Sequence, residues 1–578
     1  MAPDPTAAVR RTAYLLIGAV AVFIVAGKIV GGENVIEPSR YAPPGEQSFD
    51  FDRPDKPTRK WPAVRPEPSP FYSSNDKSRW ATIRNLVDRG TYVVGQRGNL
   101  AATEPPFNDT GVIFEPEYQS LDKVMNPDTG EFYSSKPPLF STVLAGEYWL
   151  LKQAFGWDMV RDRWPVTCTI LVTVNVLPFA AYLWVLANLI DRFGRTDFGR
   201  LFAFTLAAAG TFLIPFGMTL NNHNPATYCA AFALYPLLRR ASVAGVCDPG
   251  QAKVEGTLRV PSDMNGTRSV PSTFPASQRP ATADPGYSKD ATGRSESPAD
   301  LAVSGFFAGL TACLDLPAAA LTAALLLPLV YTRPVRTLVW FVPFMLVPVA
   351  AFFACNYAAL GRLTPAYSEF GGPWYEYAGS HWHKLKAAQG GQFVPGIDFA
   401  QEPKPVYAFH LLFGHHGWFS LTPAFLLSAG GLVAWAWQSR TRVLQILRRR
   451  VPSNQTVFTP ELVGPLTLVV SAVVVGFFVL KTNNYGGNTS GPRWLFWLIP
   501  LWVLGVLPAA DWVGKWRASR GLAAVLLGMS VLSVFYPAWN PWRSPWVQQL
   551  GERAGWVSYD VQGGAAWIPA PPPKPGSE

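Results

Sequence analysis

Long apolar stretches alternate with short polar ones over most of the chain. LLIGAVAVFIVAG (15–27) and LVVSAVVVGFFVL (468–480) are two of them. Runs approaching twenty such residues read as transmembrane helices. The pattern predicts about 11 spans, at 13–30, 165–190, 201–220, 225–239, 301–315, 317–332, 337–357, 417–437, 462–480, 494–511 and 521–537. The expected fold class is therefore an all-α polytopic membrane protein. The apolar segment 137–155 is ambiguous, because it contains Glu147 and Lys152, which a lipid-exposed span resists. Arg10 and Arg11 precede the first span, and no convincing cleavage site follows it. It reads as a retained anchor.

Loop charge decides the parity. If 137–155 does not cross, one side collects the loops 191–200, 240–300, 333–336, 438–461 and 512–520. The short basic loops then share one face, with Arg192, Arg195, Arg333, Arg336, Arg440, Arg450 and Arg517 among their charges. That is the positive-inside arrangement. Segment 137–155 is then expected to lie at the outer interface. The outer face collects 31–164, 358–416 and 481–493. The chain divides into four parts: an N-terminal membrane module (1–240) with its first outer loop (31–164), a disordered cytoplasmic insertion (241–299), C-terminal transmembrane helices (300–540) with the outer segment 358–416, and an outer tail (541–578). Residues 41–70 and the last ten are Pro-rich and read as extended or unstructured.

Composition changes this picture little. The 578 residues are 49% hydrophobic and 15% charged. The net charge of +10 does not point to nucleic acid, because the arginines sit in loops between spans. The cysteines show neither a disulfide framework nor zinc-type spacing.

Candidate chemistry gathers on the outer face. In FYSSNDKSRWATIRNLVDRGTYVV (71–94), Ser73 to Asp76 suit a helix start, and Trp80, Ile83 and Val87 then recur at helical spacing. A short amphipathic helix lying on the membrane is expected. Asp76 reads either as a cap or as a functional acid. In GEFYSSKPPLF (130–140), Lys136 precedes two prolines suited to a first helical turn. It either snorkels or binds a lipid phosphate.

NDKSRWATIRNLVDRGTYVV followed by FYSSKPPL resembles the first outer loop of the GT-C superfamily of polytopic glycosyltransferases. Protein O-mannosyltransferases and lipid A aminoarabinose transferases belong to that superfamily. That loop carries an acidic residue, a nearby arginine and two juxtamembrane helices, the second opening with Lys-Pro. NNYGGNTSGPRWLFWLIP (483–500), LLFGHHGWFSLTPAFLL (411–427) and NNHNPA (221–226) resemble further motifs of bacterial members. The chain departs from the pattern at Asp76-Lys77, where many members have Asp-Glu, and in having no sizeable soluble domain after the last span.

The resemblance implies transfer of a sugar from a polyprenyl-phosphate carrier to an acceptor at the outer face of the cell (inner) membrane. The acceptor, whether lipid, glycan or protein, is left open. Membrane lipids are the other partners, and nucleic acid is not one. Asp76 is the expected base. Asp109, Glu115, Glu117 and Asp122 are its rivals in the same loop. Arg79, Lys136, Arg493 and His223 are the expected donor-phosphate ligands. Asp315 lies at an outer turn and is a further candidate. His415 and His416 are adjacent and have no acidic partner at ligand spacing, so no dedicated metal site is expected. A divalent cation is the one cofactor left open. Trp374, Tyr375, Tyr377 and Trp382 offer sugar stacking or an interfacial belt. A transporter or flippase of lipid-linked glycans is the alternative reading, and a non-catalytic scaffold is a third. The charges lie at the outer mouth and no paired broken spans in two related halves are visible, which favours the enzyme.

Overall fold

The computed structural model describes residues 5–31, 41–42, 59–60, 71–241, 295–538 and 540–560. Most of the expected insertion, most of 41–70 and the last residues lie outside these.

The chain is mostly helical, and each of the eleven apolar segments falls on helix. Six helices are long and apolar enough to cross a membrane: Thr6–Gly31, Arg163–Phe193, Asp197–Phe216, Val342–Leu360, Pro460–Lys481 and Arg517–Phe535. The pair Arg493–Gly505 and Leu507–Val513, bent by 41°, makes a seventh if counted as one span. The count of about 11 therefore comes down to six or seven by length and apolarity. Proline is a main reason. Pro423 separates Trp418–Leu421 from Phe425–Gln438, and Pro508 opens the second half of the bent pair. Pro298–Leu314 and Leu316–Thr332 are shorter apolar helices.

Three α-helices come first among the described residues. α1 (Pro5–Gly31) is the N-terminal span, α2 (Ser74–Asp88) lies in the first loop, and α3 (Pro138–Phe155) begins at the Lys-Pro-Pro sequence. α3 is not among the six. It packs along α2 and against Val342–Leu360. Gly156, with φ of 71°, closes it in a left-handed turn that glycine adopts without strain.

The all-α expectation needs one correction. A small sheet joins α2 to α3: the strand Glu131–Ser134 lies between Gly95–Gln96 and Lys123–Met125, antiparallel to both. Strands of two to four residues show no readable alternation. The segment 358–416 docks on this sheet. The Met125 amide donates to the Trp374 carbonyl at 3.0 Å, and Arg97 donates to the Ala378 carbonyl at 3.0 Å. Tyr377 packs edge-on against Phe132.

Several of the basic loops are tied to one another and to α1 by polar contacts. Near its start, Arg10 pairs with Asp191 at 2.7 Å and with Asp197. The Arg195 and Thr196 amides donate to Asp511. Arg239 pairs with Asp300, and Arg333 donates to carbonyls of Pro452 and Ser453. These are the loops whose arginines set the expected parity. Near the other end, Lys28 donates to the Ala538 carbonyl.

Candidate active site

Four separate chain segments bring their polar residues to one place. Ser78 on α2 donates to the Asp122 carbonyl at 2.6 Å and shares a 2.6 Å bond with Ser134. This fixes the turn carrying Asp122 beside the one carrying Lys136. The two side chains then meet, with Lys136 Nζ 2.7 Å from Asp122 Oδ1. One turn along α2 from its start, the buried Arg79 donates to the Asn75 carbonyl at 2.9 Å and to Asn222 Oδ1 at 2.5 Å. Asn222 in turn donates to the Leu314 carbonyl at 2.7 Å. The start of helix His223–Leu238 is thereby tied to the turn holding Asp315.

Arg493 completes the group. Its guanidinium donates to the Gly486 carbonyl through Nη2 at 2.7 Å and through Nε at 3.2 Å. It lies over the Trp542 ring, 4.6 Å from the centroid. Nη1 is 3.1 Å from His223 Nε2, and His223 Nδ1 is 2.9 Å from Asp315 Oδ2. Arginine only donates, so His223 Nε2 must accept. His223 is then the neutral tautomer with its proton on Nδ1, donated to Asp315. Gly486 has φ of +96°, and a Cβ there would meet Arg493 Nε at 3.0 Å, so this turn needs glycine.

The charge balance decides what the pocket can hold. Among the described residues neither Arg79 nor Arg493 makes an ion pair, and Arg79 Nε has no partner. Neutral acceptors hold both buried guanidinium groups. A buried charge without a counterion is costly. Burial pushes the Arg79 pKa down to about 10. Burial also lowers Lys136, with Asp122 opposing and Arg79 and Arg493 adding to the fall. Burial would raise Asp122, but Lys136 beside it and Arg493 and Arg79 behind it hold it below the usual carboxylate range. Fixed cationic donors of this kind are suited to an anion. The half-buried Tyr367 lies within electrostatic reach of Asp315 and Arg79.

The expected phosphate ligands Arg79, Lys136, Arg493 and His223 are thus brought together, and Asp122 and Asp315 join them. Asp76, the expected base, is engaged by its own helix start. Its carboxylate accepts from the amides of Tyr72 (2.7 Å), Ser73 (2.6 Å) and Lys77 (2.9 Å) and from the Ser73 hydroxyl (3.2 Å). Ser73 is the N-cap and Asp76 is the third helical residue of a capping box. The side chain is fully buried, and burial outweighs its donors and pushes it up to about 6. It organises the helix start that aims Arg79. The other rivals are engaged elsewhere. Asp109 pairs with Arg97 at 2.9 Å, Glu115 with Arg84 at 2.5 Å, and Glu117 lies 3.8 Å from Arg163. Tyr375 and Tyr377 are buried in packing contacts rather than offered to a ligand.

His415 and His416 belong to a second buried cluster. His416 Nε2 is 3.0 Å from the Thr489 carbonyl, and its Nδ1 is 2.6 Å from His415 Nδ1. His415 Nε2 is 2.6 Å from the Tyr559 hydroxyl, which lies 3.0 Å from Glu402 Oε1. Tyr485 donates to Glu402 Oε2. Ligand atoms of Glu402, His410 and His415 lie within 4.8 Å of one another. The expectation that these histidines have no acidic partner is therefore overturned. Glu402 stands eight residues before His410, ahead of the helix Lys404–Leu412, and only the fold closes that gap. Burial pushes the Glu402 carboxyl up to about 7 and the His416 imidazole down to about 3.

Glu402, Tyr367, Trp542 and Tyr559 join these two groups without having stood out in the sequence, and Asn222 and Tyr485 join them from motifs that gave them no role of their own. Trp542 and Tyr559 lie in 541–578, which the sequence marks only as a tail.

No known family pattern matches the chain, and no characterised protein matches it by sequence. Solved structures of an Archaeoglobus fulgidus oligosaccharyltransferase are similar in fold. The apo form has a TM-score of 0.38 at 11% identity, over 98% of this chain and 61% of that one. The form in complex with an inhibitory peptide and a dolichol-phosphate has a TM-score of 0.36 at 11% identity, over 98% and 60%. The chain thus spans about three fifths of the length of that enzyme.

Proposed function

We propose that the protein is a membrane glycosyltransferase that moves a sugar from a polyprenyl-phosphate-linked donor to an acceptor hydroxyl at the outer face of the membrane. The observation that carries this reading is the convergence of Arg79, Lys136 and Arg493, with only Lys136 neutralised by a carboxylate. A phosphate that gains charge as it leaves is the ligand such a pocket favours, because donors fixed in a dry site need no reorganisation.

In the proposed step, the acceptor oxygen attacks the anomeric carbon. The bond from that carbon to the phosphate oxygen breaks, and its electron pair leaves with the phosphate. The acceptor's proton passes to a carboxylate. Asp122 is held ionised below the usual range against Lys136, which makes it a weak base and a good anchor. Asp315 is bonded through Oδ2 to a neutral histidine, so we assign the proton to Asp315, with His223 positioning it. Asp76 positions Arg79 through the helix start.

The test is transfer from a radiolabelled polyprenyl-phosphate sugar in membranes containing the full chain. Arg79→Gln with Arg493→Gln is expected to abolish transfer and to weaken retention of the unglycosylated polyprenyl phosphate. Wild-type transfer rates in that double variant would overturn the reading. So would a wild-type chain that carries the labelled lipid across the bilayer without transferring its sugar.

A further inference from the structure

With Glu402 ionised, the second cluster has more lone pairs than protons to fill them. A carbonyl only accepts, so His416 carries its proton on Nε2 and donates it to Thr489. Its Nδ1 is then bare, and His415 Nδ1 must carry the proton between the two rings. His415 Nε2 is left with a lone pair turned toward Tyr559 and Glu402. The Tyr559 hydroxyl has one proton and two acceptors, His415 Nε2 at 2.6 Å and Glu402 Oε1 at 3.0 Å. Among the described residues Glu402 has no ion-pair partner, and it is 4% exposed. His410 stacks on His415 with ring centroids 4.0 Å apart and is fully buried.

We propose that Glu402, His410 and His415 bind one zinc-class cation, with a fourth position on the Tyr559 side. Two imidazoles and one carboxylate make a donor set suited to zinc. A tetrahedral zinc holds ligand atoms about 3.3 Å apart, so the cluster closes by at most about 1.5 Å on binding. Metal-binding histidines have their other ring nitrogen fixed by an outer partner, and ligating carboxylates are themselves hydrogen-bonded. Here a carbonyl–histidine relay fixes His415 in the ligand tautomer, and Tyr485 holds Glu402. The cation meets both acceptors that Tyr559 cannot satisfy together. It also fastens three parts of the chain: the stretch from Glu402 to His416, the 482–493 turn through Tyr485 and Thr489, and the C-terminal segment through Tyr559. The site is closed and distant in sequence from the acids of the first loop, and it stands whether or not the protein transfers sugar.

The full chain, purified in detergent without chelator, is expected to retain about one zinc per molecule by elemental mass spectrometry. After stripping, it is expected to take up zinc ion alone to the same level. Glu402→Gln and His415→Gln are each expected to weaken zinc binding at least tenfold, and Tyr485→Phe about tenfold as an outer partner. His383→Gln, on a histidine of the same outer segment that lies outside the cluster, is expected to bind as wild type. Cobalt added to the stripped wild type is expected to give the intense visible bands of a tetrahedral ion. Should the variants fail to fold, the wild-type cobalt spectrum decides alone. No stoichiometric zinc in the wild type, unchanged binding in the Glu402→Gln, His415→Gln double variant, or a weak octahedral cobalt spectrum would each overturn the proposal.

Discussion

The pocket around Arg493 holds three cations of which one faces a carboxylate, whereas the cluster around Glu402 holds one carboxylate and three histidines with no cation. Both are buried, and both hang on the turn 482–493. Gly486 O holds Arg493, while its neighbour Tyr485 holds Glu402 and Thr489 O holds His416. The first is short of negative charge and the second of positive. An uncompensated buried charge is a poor stabiliser, so neither arrangement is what packing alone selects. In the two proposals each takes a ligand of the opposite sign, and one turn supports both.

Substitutions can separate the two. The largest effect is expected from Arg493→Gln, which removes fixed positive charge from the anion pocket and should lower transfer by about 100-fold to 1,000-fold. Zinc content should stay at the wild-type level. A parallel loss of zinc would mean that the two clusters are one unit. Next, Asp315→Asn should lower kcat by about 100-fold with little change in donor retention, as removal of a proton acceptor does. An equal fall in donor retention would instead make Asp315 a binding group. Tyr485→Phe should act in the other direction. It should loosen the histidine cluster, lower the unfolding temperature measured with zinc present, and change transfer less than tenfold.

The residues in these predictions differ in how legible they are in the sequence. Lys136 before two prolines, Arg493 after Gly-Pro and His223 after Asn-Asn stand in short motifs, and all three converge. The choice among Asp109, Glu115, Glu117 and Asp122 is not legible. It depends on which cation each meets, and Arg84, Arg97, Lys136 and Arg163 stand in the same loop at separations that no periodic spacing pairs with them. The role of Asp76 is not legible for a related reason. A buried acid at a helix start is the same letter whether its oxygens face a substrate or its own amides. Helix positions are readable from apolar runs, but breaks at Pro423 and Pro508 shorten spans that composition alone draws as continuous. The sheet under Asp122 escapes because its strands are too short to carry a period.

The smaller predictions sharpen the assignment of Asp76 and Asp122. Asp76→Ala removes half of the capping box and should cost about 1 kcal/mol of stability, read as a lower unfolding temperature, with transfer per folded molecule lowered less than tenfold through the loosened Arg79. Loss of transfer in a stably folded Asp76→Ala chain would return the base to that residue. The smallest effect concerns acid. The folded pKa of Asp122 lies below its unfolded value of about 3.9, so the stability it adds is present above that pH. That stability fades as pH falls through the folded value. Asp122→Asn should flatten this part of the acid limb of the unfolding-temperature profile.

The segment 540–560 places Trp542 beneath the Arg493 guanidinium and Tyr559 between Glu402 and His415. A protease that nicks this protein once, near residue 539, would leave every expected span intact. It would nevertheless free the floor of one chamber and the wall of the other in a single cut, so the stretch 540–560 works as a latch on both.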